Sequence, residues 1–101
     1  MRKGMLEYSI LLLLQGGDAY AGEIIQGLKD AHLIVVEGTL YPLLTRLKKD
    51  EILTYRWEES PSGPPRKYYT LTDRGRDVLA ALSTAWSEIA TSIEILKNKT
   101  I

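Results

Sequence analysis

The chain has 101 residues, 45% of them apolar, with 13 basic and 13 acidic side chains and no cysteine. That length fits a single domain with a modest core, and the lack of cysteine excludes disulfides, thiolate metal sites and thiol chemistry, as suits a cytoplasmic protein. A formal net charge of zero argues against a uniformly basic nucleic-acid binder, so any affinity for a polyanion must come from local clustering of cations.

Met5 to Gln15 is apolar on almost every side, which predicts a helix buried on two faces, the second of them against another chain. Gly16-Gly17 ends it. Arg2 and Lys3 before Ile10–Leu14, with Ala19-Tyr20-Ala21 after, imitate a secretion signal. Glu7 interrupts that pattern, and cleavage would delete a helix the remaining fold needs. No run approaches the ~18 apolar residues of a membrane span.

Asp18 is placed to cap a second helix, in which Ile24, Ile25, Leu28 and Ala31 recur at helical spacing. His32 to Val36 reads as extended, with His32 a solvated loop residue. A third helix begins near Glu37-Gly38-Thr39, with Leu40, Leu43, Leu44 and Leu47 as its inner stripe. Tyr41, Pro42, Thr45, Arg46, Lys48 and Lys49 fall mostly on the other side. Pro42 keeps the helix start close by, because proline is tolerated only near the first turn. Leu53–Glu59 and Arg66–Leu71 read as two strands around the turn-rich Ser60–Pro65, and Trp57 as a strand residue covering the core. Thr72 is the expected N-cap of a last helix reaching about Lys97. In it Val78, Leu82, Trp86, Ile89, Ile93 and Leu96 form an apolar stripe. At roughly 35 Å the helix outruns so small a domain, so a second subunit is its natural cover.

Three helices followed by a hairpin is the order of a winged helix, in which the third helix enters the major groove and the hairpin lies along the phosphates. The fold expected is therefore mainly α with a small β-hairpin. Residues 1–71 form the winged helix-turn-helix and residues 72–101 a long C-terminal dimerisation helix, the two making one continuous unit. Arg46, Lys48 and Lys49 on the third helix and Arg66-Lys67 at the wing base are the cations that would neutralise phosphates. Tyr41 and Thr45 offer hydroxyls, and Pro42 an apolar contact to a thymine methyl. Each has a plainer explanation: a solvated helix face for Arg46, Lys48 and Lys49, surface packing for Tyr41, and edge-strand charges for Arg66 and Lys67. The ordered wing behind the helix tips the balance toward DNA.

Glu37-Gly38-Thr39-Leu40-Tyr41-Pro42-Leu43-Leu44, followed by Arg46-Leu47, resembles the recognition-helix signature of the PadR family. Arg66-Lys67-Tyr68-Tyr69-Thr70-Leu71-Thr72, followed by Gly75, is similar to that family's second wing strand and last-helix cap. Tyr20 and Glu23-Ile24 resemble its second-helix opening. The resemblance spans about residues 5–97. It implies a dimeric, cytoplasmic transcriptional repressor on an inverted-repeat operator in double-stranded DNA, with Thr39 joining the DNA-contact set. Glu51 departs from the pattern, standing where the family has glycine after the third helix.

The short length resembles the multidrug-binding branch of the family. That resemblance implies that Trp86 faces its symmetry mate and stacks on a flat aromatic effector, with Tyr8, Leu12, Ile89 and Ile93 lining the same space. The competing role for Trp86 is packing at the dimer interface. An enzyme is not expected, since there is no cysteine nucleophile, metal-ligand spacing or phosphate loop, and neither is a cofactor. The rival function is a protein-interaction module, which the zero net charge favours. RNA binding is weaker still, because no aromatic platform on a sheet is evident.

Overall fold

The computed structural model describes residues 2–99. Three helices, α1 (Arg2–Gln15), α2 (Ala21–Asp30) and α3 (Glu37–Lys49), are followed by strands β1 (Leu53–Ser60) and β2 (Gly63–Leu71) and by a 25-residue helix α4 (Asp73–Lys97). The core is built where the apolar periodicities of these elements converge. Leu6, Ile10, Leu11 and Leu14 of α1 meet Ile24 and Leu28 of α2 and Leu40, Leu43, Leu44 and Leu47 of α3. Leu53, Tyr69, Leu71 and Leu79 close it from the hairpin and the start of α4. No buried residue among those described is polar or charged. At about 25 cal/mol per Å² of apolar surface, burial of this leucine-rich cluster is the main force holding the helices together.

The second helix does not start as its sequence suggests. Asp18 is not the cap. Tyr20 is the residue before the first turn, and its N–H donates to the Glu23 carboxylate at 3.2 Å. Asp18 turns outward to the Arg56 guanidinium on β1. Between them, Ala19 pairs with Tyr69 through two backbone hydrogen bonds of 3.1 and 2.8 Å, adding a one-residue third rung to the sheet. This rung ties the α1–α2 connection to the wing.

The hairpin is longer than its composition implies. The strands pair in register from Leu53↔Leu71 to Glu58↔Arg66 and again at Ser60↔Gly63, so the turn is Pro61-Ser62 and not the whole of Ser60–Pro65. The register slips between Glu58 and Ser60, opposite Pro64 and Pro65. Two prolines cannot donate ladder hydrogen bonds, and a bulge is where a strand tolerates them.

Both α2 and α3 end in the same motif. After α2, Leu33 N–H reaches Leu28 C=O (2.8 Å) and His32 N–H reaches Lys29 C=O (2.9 Å); after α3, Ile52 N–H reaches Leu47 C=O and Glu51 N–H reaches Lys48 C=O, both 3.0 Å. This double hydrogen bond requires a left-handed residue just past the helix, normally glycine. Here His32 (φ 66°) and Glu51 (φ 62°) fill those places. The family's glycine at position 51 is absent, yet the left-handed turn is kept, because the leucine–isoleucine contact and two hydrogen bonds outweigh about 1–2 kcal/mol of side-chain strain. Glu51→Gly relieves that strain while adding unfolded-state entropy. We expect a net gain of about 0.5–1 kcal/mol, read as a rise of a few degrees in Tm. A lowered Tm would mean that Glu51 makes a compensating interaction.

Candidate nucleic-acid interface

With its four leucines in the core, α3 presents Gly38, Pro42, Thr45 and Lys49 to solvent. Pro42 is the sixth residue of the helix, deeper than the first turn. It withholds an N–H from the Gly38 carbonyl. The exposed face divides into two flanks. Tyr41 and Thr45 turn toward the wing and line a groove of about 410 Å³ with Tyr20, Trp57, Arg66 and Lys67. Thr39, Pro42 and Arg46 turn toward α1 and border an apolar groove of about 760 Å³ with Leu6, Ile34 and Val36.

The cations separate accordingly. Arg46 forms an ion pair with Glu7 of α1 at 3.2 Å and is partly covered, so it braces the recognition helix as well as facing outward. Arg56 is held by Asp18 and by Glu58 (2.9 Å). These partners raise the Arg56 pKa; the Thr70 hydroxyl, followed by Arg56, lowers that of Asp18. Among the described residues, no ion pair joins Lys48, Lys49, Arg66 or Lys67 to a carboxylate. Three of these four rest on aromatic rings. Lys48 Nζ lies 5.5 Å from the Tyr55 centroid, Arg66 Cζ 4.3 Å from Tyr20, and Lys67 Nζ 4.7 Å from Tyr55 and 5.3 Å from Trp57. A ring face orients a cation without cancelling its charge. A chain of zero net charge thus presents one face of α3 and the wing base as a cationic surface.

The sequence reading missed Tyr20, Tyr55 and Trp57 as part of this surface. Trp57 does not cover the core: it is 62% exposed. Strand alternation places it on the same face as Leu53 and Tyr55, but the core ends before the hairpin reaches it.

Of the five candidate ligand residues, the fold brings two together. Tyr8 of α1 and Trp86 of α4 stack with their rings 5° from parallel and centroids 6.0 Å apart, and the Tyr8 hydroxyl lies 3.1 Å from Ser83 Oγ. Leu12, Ile89 and Ile93 are exposed along α1 and α4. No cluster of acidic, histidine or cysteine side chains among the described residues is arranged to hold a metal.

Three helices, a paired wing and a long last helix define a winged-helix protein of the DNA-binding type. Residues 10–81 match the model of the PadR-like family of transcriptional regulators. The crystal structure of a PadR-like transcription factor from Bacteroides fragilis is 59% identical, covers 95% of this chain and 93% of its own, and superposes with a TM-score of 0.84. A PadR-like transcriptional regulator from Bacillus cereus is 33% identical over 99% of this chain and 98% of its own, with a TM-score of 0.86. The Bacillus subtilis PadR crystallised with operator DNA is 29% identical with a TM-score of 0.70; it covers 76% of this chain, but only 44% of its own length is matched. The chain belongs to the PadR-like family and is a transcriptional regulator, not an enzyme.

Proposed function

We propose that the protein is a homodimeric repressor that binds an inverted-repeat operator and is released by a flat aromatic effector, acting in the cytoplasm. The observation that carries the DNA-binding part is the cationic surface itself: Thr45 and Lys49 outward on α3, Tyr41 and Lys48 on its wing flank, and Arg66 and Lys67 at the wing base without acidic partners. The Bacillus subtilis relative bound to operator DNA supports the same reading. Thr39 and Pro42 complete the contact set on the α1 flank. Two such helices related by a two-fold axis would sit about one DNA turn, roughly 34 Å, apart.

The effector half rests on α1. Glu7 and Tyr8 are adjacent on it; Glu7 holds Arg46 of the recognition helix, and Tyr8 holds Trp86 and Ser83 of α4. A flat ligand that takes the place of Tyr8 against Trp86 displaces the helix on which Arg46 leans. Release follows if the ligand binds the displaced arrangement more tightly. Leu12, Ile89 and Ile93 then form the apolar walls beside the stack.

The test is titration of the protein with duplex DNA from upstream of its own coding region across a salt series. Steep weakening with salt is expected. Lys49→Ala should lower affinity about 5- to 10-fold and reduce the salt slope by about one. If the wild type bound no duplex even at low salt, the protein-interaction reading would replace this one.

A further inference from the structure

The groove between α2, α3 and the wing is lined by a residue that neither the motif nor the family match assigns to anything. We infer that Trp57 is a DNA-contacting residue. In this reading the groove seats one strand of the duplex backbone, with the indole packed on deoxyribose and Arg66 and Lys67 on the flanking phosphates. The inference rests on the DNA-binding reading above and adds to it a contact that carries no charge.

Three observations converge on Trp57. A 62% exposed tryptophan leaves a large apolar surface in water, and among the described residues only Ile34, Val36, Ile95 and Leu96 are large hydrophobics more exposed than it. Those four lie on the α2–α3 loop or the tail of α4, so Trp57 is the prominent apolar surface on the wing. It also borders the same groove as Tyr41 and Thr45 of the recognition helix and Arg66 and Lys67 of β2, so a backbone strand beside α3 passes over it. Finally, its ring is one of two that hold the Lys67 ammonium, 5.3 Å from the centroid, while Tyr55 packs edge-on against it at 6.1 Å. The indole is therefore braced on one side and open on the other.

Charge places the strand at the wing base and not at its tip. Glu58 and Glu59 occupy the outer part of β1, and Glu58 is on the opposite face, where it pairs with Arg56. Phosphates are repelled there. Lys67 stands in register with Trp57 on its own face, and Arg66 stands in register with Glu58 and reaches the groove over the Tyr20 ring; neither has a carboxylate partner among the described ion pairs. An aromatic face beside two positioned cations matches the alternation of apolar sugar and anionic phosphate along a nucleic-acid strand.

The chain has two tryptophans, so the Trp57 signal is taken as the wild-type emission minus that of Trp57→Phe protein. On titration with the upstream duplex, or with random-sequence duplex at low salt, that signal is expected to be quenched and to recover when salt is added. Trp57→Ala in the wild-type background should weaken duplex binding about 5- to 10-fold with an unchanged salt slope, and Trp57→Phe should retain most of the affinity. Because Trp57 lies outside the core, the melting temperature of Trp57→Ala should match the wild type. A Trp57 signal that is indifferent to saturating DNA, or Trp57→Ala affinity equal to wild type, would overturn the inference while leaving the repressor reading intact. Wild-type protein that binds no duplex overturns both.

Discussion

Gly75→Ala is expected to lower the stability of the domain by about 2–4 kcal/mol, a large part of the 5–15 kcal/mol that a small domain possesses. Gly75 sits in the first turn of α4, buried against the turn that follows α3. A Cβ there would stand 2.1 Å from the Ile52 carbonyl oxygen and 3.2 Å from its carbon. Both are backbone atoms, so no side-chain rotation relieves the clash, and α4 must move away. That movement breaks a dense set of contacts around Thr72. Its N–H donates to Ile52 C=O at 3.1 Å, its hydroxyl lies 2.6 Å from Glu51 C=O, and its Oγ1 accepts from the Gly75 N–H at 2.9 Å. Leu79, one turn on, would be drawn out of the core. The better helix propensity of alanine returns at most about 1 kcal/mol. Urea unfolding followed by circular dichroism measures the loss. Gly38→Ala is the control: it has open space around its Cβ and should stabilise by up to about 1 kcal/mol. If the two substitutions gave similar shifts, close approach of α4 to the α3–β1 turn would not be what requires Gly75.

The same region illustrates what was legible in the sequence. The four leucines of α3, the Thr72 cap and the hairpin were readable because periodicity, capping and turn chemistry act over a few residues. What stayed hidden depends on partners distant in the chain. Asp18 looks like a helix cap until the hairpin brings Arg56 to it, and nothing in the local pattern shows that α1 brings Glu7 to brace Arg46. Trp57 shows a third kind of limit. Alternation along β1 gives its face, but not how far the core extends beneath that face. Glu51 shows a fourth. Sequence preference identifies where a left-handed residue is comfortable, but tertiary hydrogen bonds decide where one is required, and here they impose it on glutamate. The aromatic rings that position Lys48, Arg66 and Lys67 come from β1 and from the segment preceding α2, so no local motif could have announced them.

Ile89→Asp combined with Ile93→Asp is expected to convert the proposed dimer into a monomer and to weaken binding to an inverted repeat about 100-fold or more. Every residue of α4 from Ser87 to Lys97 is exposed in the single chain, yet the segment carries Ile89, Ile93, Ile95 and Leu96. An isolated eleven-residue stretch of helix is marginal in water, so its apolar stripe calls for cover that this chain does not give it. The symmetric choice is a second copy, which brings Trp86 and the isoleucines of both helices together. Each isoleucine buried there contributes about 1.5–3 kcal/mol, and an aspartate in its place adds an unpaired buried charge near its own symmetry mate. Neither position belongs to the core, so the winged helix itself should remain folded, with helical signal lost only from the tail of α4. Once monomeric, the protein meets each half-site separately, and the second recognition helix no longer acts at high effective concentration. Sedimentation and operator titration on the same sample separate the steps. Monomeric mass with weak half-site binding supports α4 as the dimer seam. Dimeric mass in the doubly substituted protein would move the seam elsewhere and, with it, the space in which Tyr8 and Trp86 would meet an effector.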